Sequence, residues 1–367
     1  RRHPRFGFKS RGLGDVYKRQ NLTRAGDPQA ATRLIQSALA GAPMQASTSP
    51  ERGAHERPTS DPASAARARV PGRSLGGVLR ALREGRDRLT TLPTGRTGIE
   101  PDLPDGAQFL ARAHRCPSGA RDYRRYVPAS APTTPRGLIV MLHGCKQNPE
   151  DFAIGTAMNA HAEAARLLVA YPAQTGAHNA TNCWNWFRPG DQRAGSGEPE
   201  IIASLVRALV DEFDLPTGRI FVAGLSAGGA MAAVMGAAYP DLFAAVGVHS
   251  GLPAGTAWDV PSAFAAMRGQ GTSPPPADAP PTIVFHGAAD AVVAPVNADR
   301  ILAPHPADRV ETGPGLTRTI GPSGELWRID RLGHAWSGGD PRGSYTHASG
   351  PDASAEMIRF YLENAPK

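Results

Sequence analysis

The sequence has few of the residues that build metal sites and no stretch suited to a membrane span. Its 367 residues include three cysteines and no C-x-x-C pair, which argues against a structural zinc site. No apolar run reaches the roughly 18 residues that a transmembrane helix needs. The first residues are basic, but no apolar stretch of a secretory signal peptide follows them. We therefore expect a globular protein without a metal, an organic cofactor or a transmembrane segment.

Charge is distributed unevenly along the chain. Residues 1–104 contain 19 Lys and Arg against 9 Asp and Glu, a formal charge of +10, whereas the remainder carries −3. The remainder therefore offers no electrostatic reason to bind nucleic acid. The arginines of the first part are typical of a solvated linker, and binding to an anionic surface is the alternative.

Composition divides the chain into three parts. Residues 1–20 lack an initiator Met and include RGLGDVYKRQ, which resembles translated adapter sequence, so we interpret them as a non-native leader. Residues 21–104 form a basic extension rich in Pro, Ala and Arg. Apart from a short helix at about 21–40, this extension has too little apolar surface to offset the entropy of ordering and is predicted to be disordered. Residues 105–367 are predicted to form the globular domain.

In this domain, short apolar runs alternate with helical patterns. Such alternation favours an α/β fold, with a mostly parallel central sheet covered by helices on both faces. The predicted strands are an edge strand at 123–128, buried strands at 137–143, 167–171, 220–223, 244–249 and 282–286, and a hairpin at 317–320 and 326–332. The predicted helices are at 152–166, 199–213 and 352–362, with another after the strand at 220–223.

One motif in this domain indicates nucleophilic chemistry. Residues 219–229 read RIFVAGLSAGG, an apolar run followed by a G-x-S-x-G pentapeptide and then by small residues suited to a helix. A sharp turn from strand to helix leaves no room for side chains beside Ser226 and exposes its hydroxyl above the sheet. Such pentapeptides also occur by chance, so the serine needs partners elsewhere in the chain.

A serine hydroxyl needs a base, and the base needs an acid that orients it. In this kind of fold the order is Ser, Asp, His. Asp290 follows the strand predicted at 282–286, although an ordinary turn aspartate is the alternative. His334 follows the last strand in a glycine-flanked loop, from which its ring can reach Ser226, although an exposed loop histidine is the alternative. The sequence thus predicts a catalytic triad of Ser226, Asp290 and His334.

Two further loops complete the predicted site. The Ala227 N–H and an N–H from the loop after strand 137–143, for which Cys145 is our candidate, would bind the oxyanion. Aromatic residues in a loop either pack into the core or line a ligand cleft, and we favour a substrate wall. Cys145 and Cys183 lie in neighbouring loops, and they form either a disulfide or two partly buried thiols. The proposed wall comprises Trp184, Asn185, Trp186 and Trp336.

Five ordered motifs resemble the poly(3-hydroxybutyrate) (PHB) depolymerase family of esterases, which are α/β-hydrolases related to feruloyl and acetylxylan esterases. The resemblance covers about residues 109–365. It implies an α/β-hydrolase fold, the same triad and oxyanion donors, a substrate cleft that includes the Trp-rich loop, and an extracellular location. The motifs are LHGC-x-Q at 142–147, N-x-x-N-C-W-N-W-F at 179–187, GLSAGG at 224–229, HG-x-x-D-x-x-V-x-P at 286–295 and GHAWSGG at 333–339.

The sequence therefore predicts a serine esterase, which we expect to be a monomer. Its expected substrates are hydroxyalkanoate polymer or oligomers, or short-chain esters. A feruloyl or acetylxylan type of carbohydrate esterase is the nearest alternative, and a peptidase is disfavoured because no propeller or large lid domain is visible. From another class, residues 21–104 could make the chain a granule- or surface-binding protein.

Overall fold

The computed structural model describes residues 93–271, 278–303 and 307–366. The predicted leader, the predicted helix at 21–40 and the rest of the extension up to residue 92 lie outside the described residues. From residue 108 onward, strands and helices alternate. The strands are β1 Gln108–Cys116, β2 Gly119–Val127, β3 Leu138–Leu142, β4 Leu168–Pro172, β5 Ile220–Leu225, β6 Ala245–His249, β7 Thr282–Gly287, β8 Arg309–Gly313, β9 Leu316–Gly321, β10 Gly324–Ile329, β11 Trp336–Ser337 and β12 Thr346–His347. The α-helices are α1 Pro149–Thr156, α2 Met158–Ala165, α3 Gly197–Phe213, α4 Ala227–Ala238, α5 Val260–Met267, α6 Val296–Leu302 and α7 Ala353–Asn364.

A ten-stranded β-sheet forms the centre of the fold in the described part of the chain. Its strand order is β1-β2-β4-β3-β5-β6-β7-β10-β9-β8. The six strands from β4 to β10 in this order pair in parallel, and an antiparallel pair extends each side. The mostly parallel α/β-hydrolase sheet predicted from the sequence is confirmed.

The central strands are buried on both faces. In β3, Leu138, Val140 and Leu142 join one hydrophobic cluster, while Ile139 and Met141 join the cluster on the opposite face. All five residues are inaccessible to solvent. Two-sided burial explains why these strands are continuous apolar runs without alternating polar residues.

The sheet margins differ from the sequence prediction. The strand predicted at 123–128 is part of β2, but it is not an edge, because β1 pairs with β2 along its whole length. β1 and β8 were not predicted. Both are rich in exposed or half-exposed residues, so neither carries the apolar run by which a strand is recognised.

Residues 93–104 also depart from the prediction of disorder. They have no helix or strand, yet Gly95 is buried and its N–H donates to Lys146 O at 2.8 Å. The globular part of the chain therefore includes residues that composition alone assigned to the extension.

Parallel strands place their carboxyl ends, and the loops that follow, along one edge of the sheet. The segments that follow β3, β4, β5, β7 and β10 carry all the predicted site residues except Trp336, which lies in β11. Within the three described ranges, no helix is long and apolar enough to cross a membrane, and no group of three or more His, Cys, Asp or Glu residues could hold a metal ion.

Candidate active site

Ser226 lies at the sharp turn between β5 and α4. Its backbone, with φ 59° and ψ −119°, occupies a region that side-chain-bearing residues rarely adopt. Two backbone hydrogen bonds hold it there: its N–H donates to His249 O, and its carbonyl accepts from Ala230 N, each at 2.9 Å. A Cβ on Gly228 would lie 1.9 Å from Leu142 O. Glycine is therefore required at this position if the turn is to pack against β3.

Asp290 and His334 form a hydrogen-bonded pair. His334 Nδ1 lies 2.8 Å from Asp290 Oδ2, and both side chains are almost completely buried. The other carboxylate oxygen, Asp290 Oδ1, accepts from the backbone N–H groups of Val292 and Val293 at 2.9 Å each. These bonds fix the carboxylate in one orientation toward the imidazole.

The ionisation of Asp290 determines which ring nitrogen of His334 donates to it. Burial raises the pKa of Asp290, but the hydrogen bond from His334, its charge and the Val293 N–H outweigh burial and hold the pKa below its usual range. An ionised carboxylate only accepts, so His334 Nδ1 is the donor in this hydrogen bond, and Nε2 is the ring nitrogen that can act as the base. Ser226 and His334 line the same small cavity, of about 10 Å³. The three residues that the sequence singled out thus converge on one site.

The two candidate oxyanion donors also lie beside Ser226. Ala227 is the first residue of α4, so its N–H has no acceptor within the helix. Cys145 lines both cavities that contain Ser226. Assignment of the oxyanion hole to these two N–H groups stays a prediction.

A neutral histidine shapes the loop that carries Cys145. His143 Nδ1 donates to Gly144 O at 2.8 Å, and Nε2 accepts from Gln174 N at 3.0 Å. One ring nitrogen is thus a donor and the other an acceptor, which only the neutral imidazole provides. Burial lowers the pKa of His143 to about 4. His143 is therefore a structural residue of this loop, and both of its ring nitrogens are engaged in hydrogen bonds.

An apolar pocket of about 160 Å³ opens beside Ser226. None of the side chains that line it carries a charge. One wall is a face of α5, on which the lining residues recur at helical spacing, and another includes the Cys145–Cys183 disulfide, so the disulfide alternative from the sequence is confirmed. The pocket is lined by Cys145, Asn179, Thr181, Cys183, Trp186, Phe187, Ser226, Ala227, Leu252, Val260, Ala263, Phe264, Met267 and Val293.

Of the residues predicted to form an aromatic wall, only Trp186 lines this pocket. Trp186 lines the pocket, but Trp184 and Trp336 are 0% and 1% exposed and lie in the core. Trp184 Nε1 donates to His143 O at 3.1 Å, and Trp336 Nε1 donates to Ser354 Oγ at 3.2 Å. Because each indole N–H has a hydrogen-bond acceptor, the large apolar ring can be buried in the core without leaving a polar group unpaired.

Asn185 is likewise structural and does not contact the pocket. It is 3% exposed, and both its backbone N–H and its side-chain amide donate to Glu198, at 2.7 Å each. Glu198 in turn accepts from Arg121 at 2.9 Å. Burial raises the pKa of Glu198. Asn185 therefore fixes the Trp-rich loop against α3 and is not among the residues that line the pocket.

Sequence reasoning missed the α5 wall of the pocket. Val260, Ala263, Phe264 and Met267 show helical spacing that is visible in the sequence. That spacing identifies an apolar helix face, but it does not distinguish a face packed on the core from one that borders a cleft.

Comparisons with known proteins identify the family of this chain. The family described as "Esterase PHB depolymerase" matches residues 121–306, about half of the chain. The chain is 34% identical over 186 residues to poly(3-hydroxyalkanoate) depolymerase C of Paucimonas lemoignei, covering 47% of this chain and 43% of that protein. It is 33% identical over 137 residues to feruloyl esterase B of Neurospora crassa, covering 37% of this chain and 45% of that protein.

Among solved structures, the acetyl xylan esterase from Aspergillus awamori superposes with a TM-score of 0.54 at 22% identity, covering 62% of this chain and 93% of that one. This likeness supports the fold. The matched part of the chain spans less than half the length of the two curated relatives. The extent of the family match, together with the fold and the ordered motifs, shows that the chain belongs to the esterase PHB depolymerase family.

Proposed function

We propose that this protein is a serine esterase that hydrolyses carboxylic esters through an acyl-enzyme intermediate. The observation that carries the proposal is the Asp290–His334 hydrogen bond at 2.8 Å, with His334 and Ser226 lining one cavity. Family membership supports the same reaction, and the elbow backbone of Ser226 is the geometry that a nucleophile of this fold requires.

The proposed reaction uses the two protonation sites of His334 in turn. Nε2 takes the Ser226 hydroxyl proton as Oγ attacks the ester carbonyl, while Asp290 holds Nδ1–H and stabilises the imidazolium. The N–H groups of Ala227 and Cys145 stabilise the oxyanion of the tetrahedral intermediate. The imidazolium then protonates the leaving alcohol. In the second half, His334 removes a proton from water as the water attacks the acyl-enzyme. The imidazolium then returns that proton to Ser226 Oγ as the acid is released.

The pocket beside Ser226 supports a neutral, largely apolar acyl or alcohol group as ligand. Its lining carries no charged side chain, so a charged substituent would lose hydration without gaining a partner. An apolar cavity of about 150 Å³ can hold one benzene ring. We infer that the substrates are hydroxyalkanoate polymer or oligomers, or short-chain esters, with a short aliphatic unit in this pocket.

A carbohydrate esterase of the feruloyl or acetylxylan type is the second candidate. Three aromatic side chains, Trp186, Phe187 and Phe264, line the pocket and could pack against a feruloyl ring. Incubation with PHB film and with feruloylated xylan separates the candidates, because one reaction releases hydroxybutyrate units and the other releases ferulate. Binding through residues 21–104 remains the prediction from another class, and most of that segment lies outside the described residues.

Hydrolysis of p-nitrophenyl butyrate tests the chemistry itself. We expect Ser226→Ala to abolish turnover, and Asp290→Asn to lower kcat by a factor on the order of 10⁴, because the amide no longer fixes the required tautomer of His334. Circular dichroism of both variants checks that they are folded. Wild-type rates in folded Ser226→Ala would refute the proposed nucleophile.

A further inference from the structure

A buried carboxylate beside the catalytic loops has no role in the proposed reaction. Asp151, in the first turn of α1, is 0% exposed. Oδ1 accepts from Arg96 N at 3.2 Å and from Ser344 N at 2.9 Å. Oδ2 accepts from Gln147 Nε2 at 3.0 Å and from Ser344 Oγ at 2.5 Å. All four donors are neutral groups, so the charge is compensated only while these segments keep their present arrangement.

The four donors come from three separate parts of the chain. Arg96 belongs to residues 93–96, which we call the strap. Gln147 belongs to the loop that carries Cys145, which we call the oxyanion loop (residues 143–147). Ser344 lies in the segment after the His334 loop. Asp151 therefore joins the strap, the oxyanion loop and the chain beyond the catalytic base at one point.

The strap itself lies against the oxyanion loop. Gly95 N donates to Lys146 O at 2.8 Å, and Asn148 Nδ2 donates to Arg96 O at 2.9 Å. A Cβ on Gly95 would lie 2.7 Å from Lys146 O and 2.7 Å from Gln147 Cα. Both of these atoms are backbone, so they cannot move aside as a side chain could. Glycine is therefore required for this close contact.

The network reaches the candidate oxyanion donor through Gln147. Its Nε2 donates to Asp151, and its Oε1 accepts from Gly144 N at 3.0 Å. The carboxylate thus sets which way the amide of Gln147 faces, and the amide occupies the Gly144 N–H. The next N–H in the chain is that of Cys145. Two residues after Gly144, Lys146 has a φ of 64°, a left-handed conformation that persists only where surrounding contacts impose it.

We propose that Asp151 and the strap position the oxyanion loop, so that the Cys145 N–H is held where negative charge develops in the transition state. This inference rests on the proposed function. Neither Asp151 nor the strap lines the cavities that contain Ser226. Both act through Gln147 and Lys146 and are positioning residues. A donor that is displaced stabilises the transition state less while leaving substrate binding almost unchanged.

Two variants and two matched controls test the proposal. Asp151→Asn replaces an acceptor oxygen with a donor NH₂ group, and Gly95→Ala drives the strap off the loop. Asp105→Asn changes an exposed carboxylate, and Gly313→Ala adds a methyl group where nothing lies within 4 Å. We measure kcat and KM with p-nitrophenyl butyrate, together with inhibition by butylboronic acid. This inhibitor forms a tetrahedral adduct with the serine and places an oxygen in the oxyanion hole.

We expect kcat of Asp151→Asn to fall by a factor on the order of 10² while KM stays within about twofold, because loss of one oxyanion donor costs 10²–10³ in rate. The Ki of butylboronic acid should rise in parallel. Gly95→Ala should show the same pattern with a loss of about tenfold or more. Both controls should match the wild type. A merely structural role would lower the urea midpoint and leave kcat per folded molecule and the boronate Ki unchanged.

Wild-type kcat and boronate affinity in folded Asp151→Asn and Gly95→Ala would overturn the inference. If Asp151→Asn does not fold, Ser344→Ala, which removes one donor to the carboxylate, is measured in its place under the same criteria. Failure of the proposed function is distinguishable, because the wild type would then be inactive or Ser226→Ala would keep full activity.

Discussion

Removal of the Cys145–Cys183 disulfide should destabilise the fold. The bond closes a segment with a sequence separation of 38, and the loop-entropy relation for that length gives about 4 kcal/mol at 25 °C. Domains have a net free energy of unfolding of about 5–15 kcal/mol, so this is a large share. We expect the double variant Cys145→Ser, Cys183→Ser to unfold at a markedly lower urea concentration.

Urea unfolding followed by tryptophan fluorescence measures this effect, because Trp184 lies next to Cys183 and is buried. Cys116→Ser is the matched control, since Cys116 is a free thiol, and it should change the free energy of unfolding by no more than about 0.5 kcal/mol. Wild type treated with dithiothreitol should reproduce the double variant. Equal unfolding free energies of wild type and double variant would refute the reasoning.

Two further predictions concern buried groups. Because the His143 pKa is about 4 in the fold, against 6.5 for an unperturbed histidine, the unfolded chain binds the proton more readily as pH falls below 6.5. His143 alone should therefore lower the free energy of unfolding by about 2 kcal/mol when the pH falls from 7 to 5, as urea titrations at the two pH values measure. His143→Gln should remove this contribution to the pH dependence of stability. A pH dependence equal to that of the wild type in this variant would contradict the prediction. Trp184→Ala should cost about 3–5 kcal/mol of stability as a core truncation. Trp186→Ala also removes a buried ring, but because Trp186 lines the pocket it should in addition raise KM for p-nitrophenyl butyrate; an unchanged KM in Trp186→Ala would contradict the pocket assignment.

The central strands could be predicted from the sequence because burial on both faces requires a continuous run of apolar residues. β3 and β5 are continuous apolar runs, which is the pattern of a short strand covered on both faces. β1 and β8 have no such apolar run. They pair through backbone hydrogen bonds that any side chain permits, so their place in the sheet depends on the fold and was not recognised.

The proposed catalytic residues could be located from the sequence because each follows a recognisable strand. Ser226 and Asp290 come after β5 and β7, and parallel pairing brings those strand ends together. Whether a buried aromatic residue borders a cleft is harder to predict. Trp184 and Trp186 are two positions apart in the same polar stretch, yet only Trp186 lines the pocket. Asp151 belongs to no motif, and its role depends on partners up to 193 residues away.

Covalent labelling of Ser226 tests the central claim most directly. A serine-reactive alkyl phosphonate is incubated with the protein, residual hydrolysis of p-nitrophenyl butyrate is followed, and the labelled peptide is located by mass spectrometry. The account predicts one phosphonyl group per molecule, on Ser226, with activity lost in proportion to labelling and no labelling in Ser226→Ala. Loss of activity with Ser226 unmodified, or stoichiometric labelling of another residue, would contradict it.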